Sequence, residues 1–194
     1  TEADRTVIGN TTPKFSGGFG LNATYKGFDM SMFFNFMYDF DVLNANKIML
    51  TTWADNKENN FLMDIASDKR WRNFDDMGNE IRYSPEVLAE FNKNATMWNP
   101  TSIGRPICMS YAVEDGSFLR LNSATLGYTL PSVWTKKVGL SKVRFYVSGN
   151  NLFTLTGYSG YDPEVNIATG LTPNIDYNRY PRSRTYTFGA QLTF

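Results

Sequence analysis

The chain has 194 residues, with 19 basic and 19 acidic side chains, one Cys and no His. This balance gives no support for nucleic-acid binding, which usually shows a basic excess. Without His, and with Cys108 alone, a zinc site of the usual kind and a His-dependent nucleophile are excluded. We therefore expect neither of these two kinds of site, and we predict no metal and no cofactor. An aromatic fraction of 15% with a mean hydropathy of −0.36 is typical of a barrel in which apolar and polar residues alternate.

The first two predicted strands are residues 14–25 and 28–38. Each alternates apolar and small or polar residues with a period of two, which is the pattern of a strand with two different faces. Lys26 and Gly27 between them predict a tight hairpin turn, because Gly readily takes a positive φ. Phe33 and Met37 are exceptions, since they fall on the polar side of the second strand.

A long connection, residues 39–117, follows the hairpin. Ser84 and Pro85 predict the start of a helix, with apolar residues at helical spacing behind them. A second short helix is predicted between Asn60 and Trp71. Because this connection carries its own apolar residues, we expect it to form a folded, partly helical cap.

Three further strands are predicted at 118–130, 142–154 and 183–194. The two halves of the third are out of phase, which predicts a bulge near Asn122. A short link with one helical turn joins the third and fourth strands, whereas residues 155–182 separate the fourth and fifth. From Thr185 to Phe194 in the last strand, the even positions are apolar and the odd positions are small or polar.

Long and short connections therefore alternate, as in outer-membrane barrels. This predicts an all-β fold of five antiparallel transmembrane strands, with short periplasmic turns and extracellular loops at 39–117 and 155–182. Five strands leave two open edges, which lipid does not tolerate. We therefore expect the remaining strands upstream or on another chain. Residues 1–5 do not resemble a signal peptide, so the export signal is expected elsewhere.

Four stretches of the sequence resemble one family in order and spacing. They are Asp115–Pro131, Val143–Thr154, Tyr158–Glu164 and Tyr180–Phe194. Pro13–Phe19 adds a shorter match, and the long connection matches only loosely. The family is the SusC/RagA type of TonB-linked outer-membrane transporters.

The resemblance implies a 22-stranded barrel with an N-terminal plug, of which this chain would be the C-terminal five strands. It implies import of a glycan or peptide across the outer membrane of a Gram-negative bacterium, with no enzyme activity. The implied partners are a SusD-like surface lipoprotein, the remaining strands and plug, and membrane lipid. TonB would act through an N-terminal part that these residues do not include.

The resemblance also implies a barrel-assembly signal at Phe188, Leu192 and Phe194. An alternative reading, compatible with the first, places Phe194 in the aromatic belt at the membrane interface.

Candidate ligand or lid contacts lie in the loops, at Trp53, Trp71, Trp98, Tyr161 and Asp162. Aromatic faces can stack on sugars, but the three Trp residues are expected more often to form the core of the loop or to contact the lipoprotein.

Two acidic clusters, at residues 75–80 and 162–166, have ligands suitable for calcium but not the spacing of a known calcium loop. We expect both to be solvated turns. A glycosidase pair at Asp162 and Glu164 is disfavoured. We also predict that Arg144 faces the lumen and Phe145 the lipid.

Two alternatives remain open. A soluble all-β carbohydrate-binding module would bury its aromatic residues against a second sheet. A passive porin would have neither plug nor lipoprotein.

Overall fold

The computed structural model describes residues 5–52, 60–65, 69–101, 107–165 and 173–194. The chain divides into two compact units. Unit 1 consists of Thr1–Val42 and Val113–Phe194, and unit 2 of Leu43–Ala112.

Unit 1 is built on a five-stranded antiparallel sheet with the order β1-β2-β5-β6-β8. Its strands are β1 (Phe15–Tyr25), β2 (Phe28–Tyr38), β5 (Phe118–Thr129), β6 (Lys142–Thr156) and β8 (Thr185–Thr193). They correspond to the five predicted strands, and their ends differ from the predicted ends by two residues or fewer. The antiparallel all-β fold predicted from the alternating pattern is confirmed.

The two short connections differ in build. Lys26 and Gly27, between β1 and β2, have φ angles of 46° and 89°. Two successive positive values make the type I′ turn that suits the twist of a hairpin. Between β5 and β6 lies the helix α3 (Ser132–Thr135), continued by a 3₁₀ turn, Lys136–Val138. Both connections lie at the same end of the sheet, because Thr129 donates a 2.8 Å backbone hydrogen bond to the Gly27 carbonyl.

A bulge at Asn122 explains the phase change in β5. Ser123 pairs with Phe33 and Leu121 pairs with Phe34, so Asn122 has no partner on β2. The extra residue moves the apolar positions of β5 from odd numbers before Asn122 to even numbers after it, while keeping them on one face. The bulge predicted from the sequence is therefore present.

The register divides the sheet into an apolar and a polar face. Cross-strand partners run through all five strands on both faces. The apolar face carries Phe19, Leu21, Phe28, Met30, Met32, Phe34, Leu119, Leu121, Leu126, Tyr128, Val143, Phe145, Val147, Phe153, Tyr186, Phe188, Ala190 and Leu192. The polar face carries Ser16, Asn22, Thr24, Asp29, Ser31, Asn35, Arg120, Ser123, Thr125, Arg144, Tyr146, Ser148, Asn150, Thr187 and Gln191. Phe33 and Met37 also lie on the polar face, as the sequence indicated.

The predicted loops contain regular elements that the pattern missed. β3 (Asp41–Asn44), β4 (Val113–Asp115) and β7 (Ile175–Asp176) form a three-stranded sheet with the order β4-β3-β7. Unit 1 also has a buried apolar cluster, against which Met37 packs. Its members are Phe40, Val42, Phe118, Tyr158 and Val165. Strands of two to four residues are too short to show a period of two, which is why these were missed.

Unit 2 contains α1 (Ala45–Met49), α2 (Pro85–Asn92) and 3₁₀ turns at Met63–Ile65 and Ser110–Ala112. The helix start at Ser84-Pro85 is confirmed, although the Ser84 side chain makes no capping hydrogen bond. The helix predicted between Asn60 and Trp71 is wrong over its described part, where one 3₁₀ turn is found.

The unit has its own buried apolar side chains, which are Ile48, Ile65, Ile81, Met97 and Ala112. The side chain of Asn92, which is also buried, accepts from the Arg72 amide at 2.6 Å and donates to its carbonyl at 2.9 Å. Over the described ranges of the chain, no helix has the length and apolar character needed to span a membrane.

Candidate functional site

Most of the apolar face of the sheet is exposed, although Leu121 and Val143 on it are buried. Phe19 is 44% exposed and Phe188 is 80% exposed. The rings of Phe19 and Phe34 stack with their centroids 4.9 Å apart, along the surface of the sheet. Exposed contiguous apolar surface of this width marks an interaction with lipid or protein. In the alternative of a soluble module, these side chains would be buried against a second sheet. Phe19 and Phe188 are instead exposed.

The polar face carries an ion pair between β6 and β2, the two strands on either side of β5. Arg144 on β6 donates from Nε to Asp29 Oδ1 at 2.9 Å, and a second hydrogen bond joins its Nη2 to Oδ2. The guanidinium crosses Gly127 on β5, where an added Cβ would lie 2.7 Å from Arg144 Cζ. The register therefore puts Arg144 on the polar face and Phe145 on the apolar face, as predicted.

A buried charge cluster holds the segment after β6 against the polar face. Arg120 on β5 is only 2% exposed and pairs through Nη2 with Asp162 Oδ1. Its Nη1 lies 3.5 Å from Glu164, and Arg182 Nη2 lies 3.1 Å from the other oxygen of Glu164. Burial of a guanidinium is costly unless carboxylates compensate its charge. Asp162 and Glu164 are therefore committed to an internal network rather than to a paired-carboxylate active site.

Two further contacts hold the same segment. The Tyr158 hydroxyl donates to Asp176 Oδ2 at 2.7 Å. Burial, together with this carboxylate, raises the pKa of Tyr158 well above its usual value, so the phenol stays protonated as a donor. Ser159 donates from its amide and hydroxyl to the two oxygens of Glu114, at 2.9 and 2.8 Å. The segment from Tyr158 to Glu164 is thus held at both ends.

Unit 2 has an aromatic and polar cluster of its own. The ring of Tyr111 meets Trp98 edge-on with centroids 5.2 Å apart, and Lys47 Nζ lies 4.6 Å from the Tyr111 centroid. The Tyr111 hydroxyl donates to Asp64 at 2.7 Å. Beside this cluster lies an open cavity of about 650 Å³. Its lining residues are Asp64, Lys69, Asn94, Thr96, Met97 and Tyr111.

Hydrogen-bonding groups and an aromatic ring converge on this cavity, as in small-ligand sites. Sequence reasoning found Trp98 but missed its neighbours. Asp64 and Tyr111 are 47 residues apart, so no local pattern links them.

The predicted site residues lie in different surroundings. Phe188, Leu192 and Phe194 are 80%, 51% and 88% exposed. Among the loop candidates, Trp71 is 41% and Tyr161 is 82% exposed, whereas Asp162 is buried. Trp53 lies outside the described residues. Their roles in assembly or in ligand and lid contact stay predictions.

The acidic stretch at residues 75–80 is a turn closed by its own hydrogen bonds. Asp75 accepts from the amides of Met77 and Asn79 at 2.9 and 2.7 Å. The Asn79 side chain also donates to Asp75. This side-chain donor first, and the backbone amides with it, hold the pKa of Asp75 below its usual value. In the part of the chain that the structure describes, no group of three or more His, Cys, Asp or Glu residues could hold a metal ion.

No profile of a known protein family matches the chain. Individual relatives do match. The chain is 35% identical to TonB-dependent receptor P3 of Formosa agariphila over 99% of the chain and 17% of that protein. It is 38% identical to TonB-dependent receptor SusC of Bacteroides thetaiotaomicron over 43% of the chain and 8% of SusC. The chain thus spans about one sixth of the length of the relative that it matches from end to end.

The fold matches solved structures of the RagAB peptide importer. Against its closed-closed state the TM-score is 0.72 at 26% identity, over 94% of this chain and 17% of that chain. Against the open-open state it is 0.68 at 26% identity, over 95% and 17%. The two-faced antiparallel sheet, the sequence matches and the structural matches agree. The chain belongs to the SusC/RagA type of TonB-dependent receptors, of which it is a segment.

Proposed function

We propose that this chain is part of an outer-membrane importer that takes up glycans or peptides. The observation that carries the proposal is the division of the five-stranded sheet into an exposed apolar face and a polar face. Such a sheet fits a barrel wall with lipid on one side and water on the other. In this arrangement Arg144, Asp29 and Arg120 face the lumen.

The substrate and partners are proposed from the relatives and the loop structure. One matched structure is named a peptide importer and one relative is SusC, which supports import with a SusD-like lipoprotein as lid. Energy would come from TonB through a plug outside these residues. The two long connections face the outside of the cell, and the short turns face the periplasm.

Unit 2 then supplies the surface that meets substrate or lid. Its open cavity, with Trp98 and Tyr111 beside it, offers an aromatic platform and hydrogen-bonding groups. Trp71 and Tyr161 are accessible for the same kind of contact. The relatives are named receptors and importers, which supports a transport role without catalysis.

Phe188, Leu192 and Phe194 are proposed as the signal that the barrel-assembly machinery recognises. Support comes from the exposure of all three side chains. The register of β8 against β6 also places Phe188 and Leu192 on the apolar face of the sheet. Removal of Phe194 from the full-length protein should then lower its level in the outer membrane.

A pair of neighbouring substitutions tests the membrane placement. Val147 pairs with Leu126 and Phe188 on the apolar face, whereas Ser148 pairs with Thr125 and Thr187 on the polar face. Lysine at a lipid-facing position near the midplane costs about 2–4 kcal/mol, and much less in the lumen. In the full-length protein, Val147→Lys should therefore lower the amount of heat-modifiable, membrane-inserted barrel. Ser148→Lys should insert nearly as well as the wild type.

Equal effects of the two lysines would contradict the assignment of the faces. Recovery of the wild-type protein in the aqueous fraction, without detergent, would contradict the importer altogether and favour the soluble module.

A further inference from the structure

The turn between β5 and β6 exposes large apolar side chains together with lysines. Val133 is 69%, Trp134 60% and Val138 71% exposed. Lys136 and Lys137 lie between them in the sequence and are also exposed. A turn that only connected two strands would gain nothing from an exposed Trp and Val, so this surface needs a partner.

The neighbouring turn and strand ends continue the same surface. Lys26 forms the β1–β2 turn, and Lys142 opens β6 opposite Thr193. On the apolar face at this end, the rings of Phe28 and Tyr128 lie 4.4 Å apart. Aromatic residues therefore border the apolar face where the lysines begin.

Charge at this end is unbalanced. Among the residues that the structure describes, no carboxylate forms an ion pair with Lys26, Lys136 or Lys137. Asp29, the nearby acid, is engaged by Arg144 on the polar face. At the opposite end of the hairpin, by contrast, Lys14 is paired with Asp39. Lys26, Lys136 and Lys137 thus leave positive charge at the end with the short turns.

The geometry points to a binding site for anionic glycerophospholipid headgroups at this turn. Trp and aliphatic side chains favour the boundary between headgroups and acyl chains, and lysines beside them attract lipid phosphate and anionic headgroups. We name the surface formed by Lys26, Val133, Trp134, Lys136, Lys137 and Val138 the lysine–tryptophan turn. The inference rests on the proposed membrane placement of the sheet. It adds that the lipid bound at the short-turn end is selected by charge.

Competition between two lipids tests the site. The full-length protein, purified in mild detergent, is offered phosphatidylglycerol and phosphatidylethanolamine in equal amounts, and retained lipid is measured by native mass spectrometry. Wild type should retain phosphatidylglycerol preferentially. One lysine near an anionic surface contributes about fivefold in affinity. The double variant Lys136→Gln/Lys137→Gln should therefore reduce the preference for phosphatidylglycerol by about 25-fold.

Matched variants separate selection from general lipid contact. Lys14→Gln/Lys93→Gln removes the same charge elsewhere and should keep the preference. Trp134→Ala should lower retention of both lipids and leave their ratio unchanged.

The outcomes are distinguishable from those of the proposed function. A protein that inserts into membranes but retains phosphatidylglycerol equally with and without Lys136 and Lys137 overturns this inference alone. Loss of a copurifying protein from the lysine variant, with no change in the lipid ratio, also overturns it, in favour of a protein partner. A chain that remains in the aqueous fraction overturns both proposals.

Discussion

Gly127 and Gly20 lie on the same face of the sheet but differ in the space above them. An added Cβ at Gly127 would meet the Arg144 guanidinium, whereas at Gly20 its nearest neighbour would be the Met32 carbonyl oxygen at 3.6 Å. We predict that Gly127→Ala lowers the unfolding temperature of the full-length protein, because Arg144 must leave Asp29 to make room for the added methyl group. Gly20→Ala should change stability by less than about 0.5 kcal/mol. Thermal unfolding in detergent, followed by gel mobility, measures both.

The cause of this effect can be isolated with a double-mutant cycle. In an Arg144→Ala background the side chain above Gly127 is absent, so Gly127→Ala should cost nothing further. A cost that persists in this background would show that backbone strain, rather than the ion pair, is responsible.

Arg120 is one of the two most deeply buried charged side chains among the described residues of unit 1, so its removal should have a large effect. Arg120→Met leaves Asp162 and Glu164 without a buried cation, which costs about 3–5 kcal/mol. Arg182→Met, at a side chain that is 39% exposed, should cost less than about 1 kcal/mol. We expect Arg120→Met to release the segment Tyr158–Glu164, which limited proteolysis of the assembled protein would detect as new cleavage there.

Removal of all three charges provides the control. Arg120→Met/Asp162→Asn/Glu164→Gln has no unpaired buried charge and should regain much of the protection. Cleavage as fast as in the single variant would mean that the network does not hold the segment.

At the scale of elements, the sequence pattern predicts the long strands well. A period of two over eleven residues, as in β1, leaves little choice of register, because a slip by one would exchange the two faces. The bulge was also predictable, since Asn122 separates two halves of opposite phase. α2 was predictable from Ser84-Pro85. Each of these signals is local and repeated over several residues.

The short elements and the charge network were not predictable in the same way. β7 has only two residues, which is no period at all. Arg120 and Asp162 are 42 residues apart, and Asp162 alone looks like an exposed loop acid. Asp162 is buried because the segment after β6 packs on the sheet and brings it to Arg120. This packing is tertiary, so the local sequence does not reveal it. The candidate ligand residues, chosen by residue type alone, therefore included Asp162, which forms an internal ion pair with Arg120.

At the scale of the molecule, the long connection is a folded unit rather than a loop. Leu43–Ala112 has buried apolar side chains and a cavity of its own. All cross-strand pairs of the five-stranded sheet lie outside it. We therefore propose that the two roles lie in different parts of the chain. Unit 1 forms the barrel wall, and unit 2 contacts the substrate.

This separation predicts the result of excising unit 2. We expect that replacing residues 43–112 of the full-length protein by a short Gly-Ser linker leaves the sheet able to assemble. A few residues suffice for the join, because the remaining part of β3 (residues 41–42) and β4, which flank the excised residues, belong to neighbouring strands of the three-stranded sheet. Heat-modifiable barrel in the outer membrane should stay near the wild-type level, while uptake of the nutrient should fall. A Ser148→Lys variant serves as the control, because it keeps unit 2 and is expected to assemble nearly as well as the wild type.

The amount of assembled barrel and the rate of nutrient uptake give separate answers, because each is expected to depend on a different unit. Failure to assemble would show that unit 2 takes part in forming the barrel wall, so the division of roles would be wrong. Full assembly with unchanged uptake would remove the cavity beside Tyr111 from the substrate path. Substrate or lid contact would then have to come from the exposed segment around Tyr161, which the Arg120 network holds against the polar face.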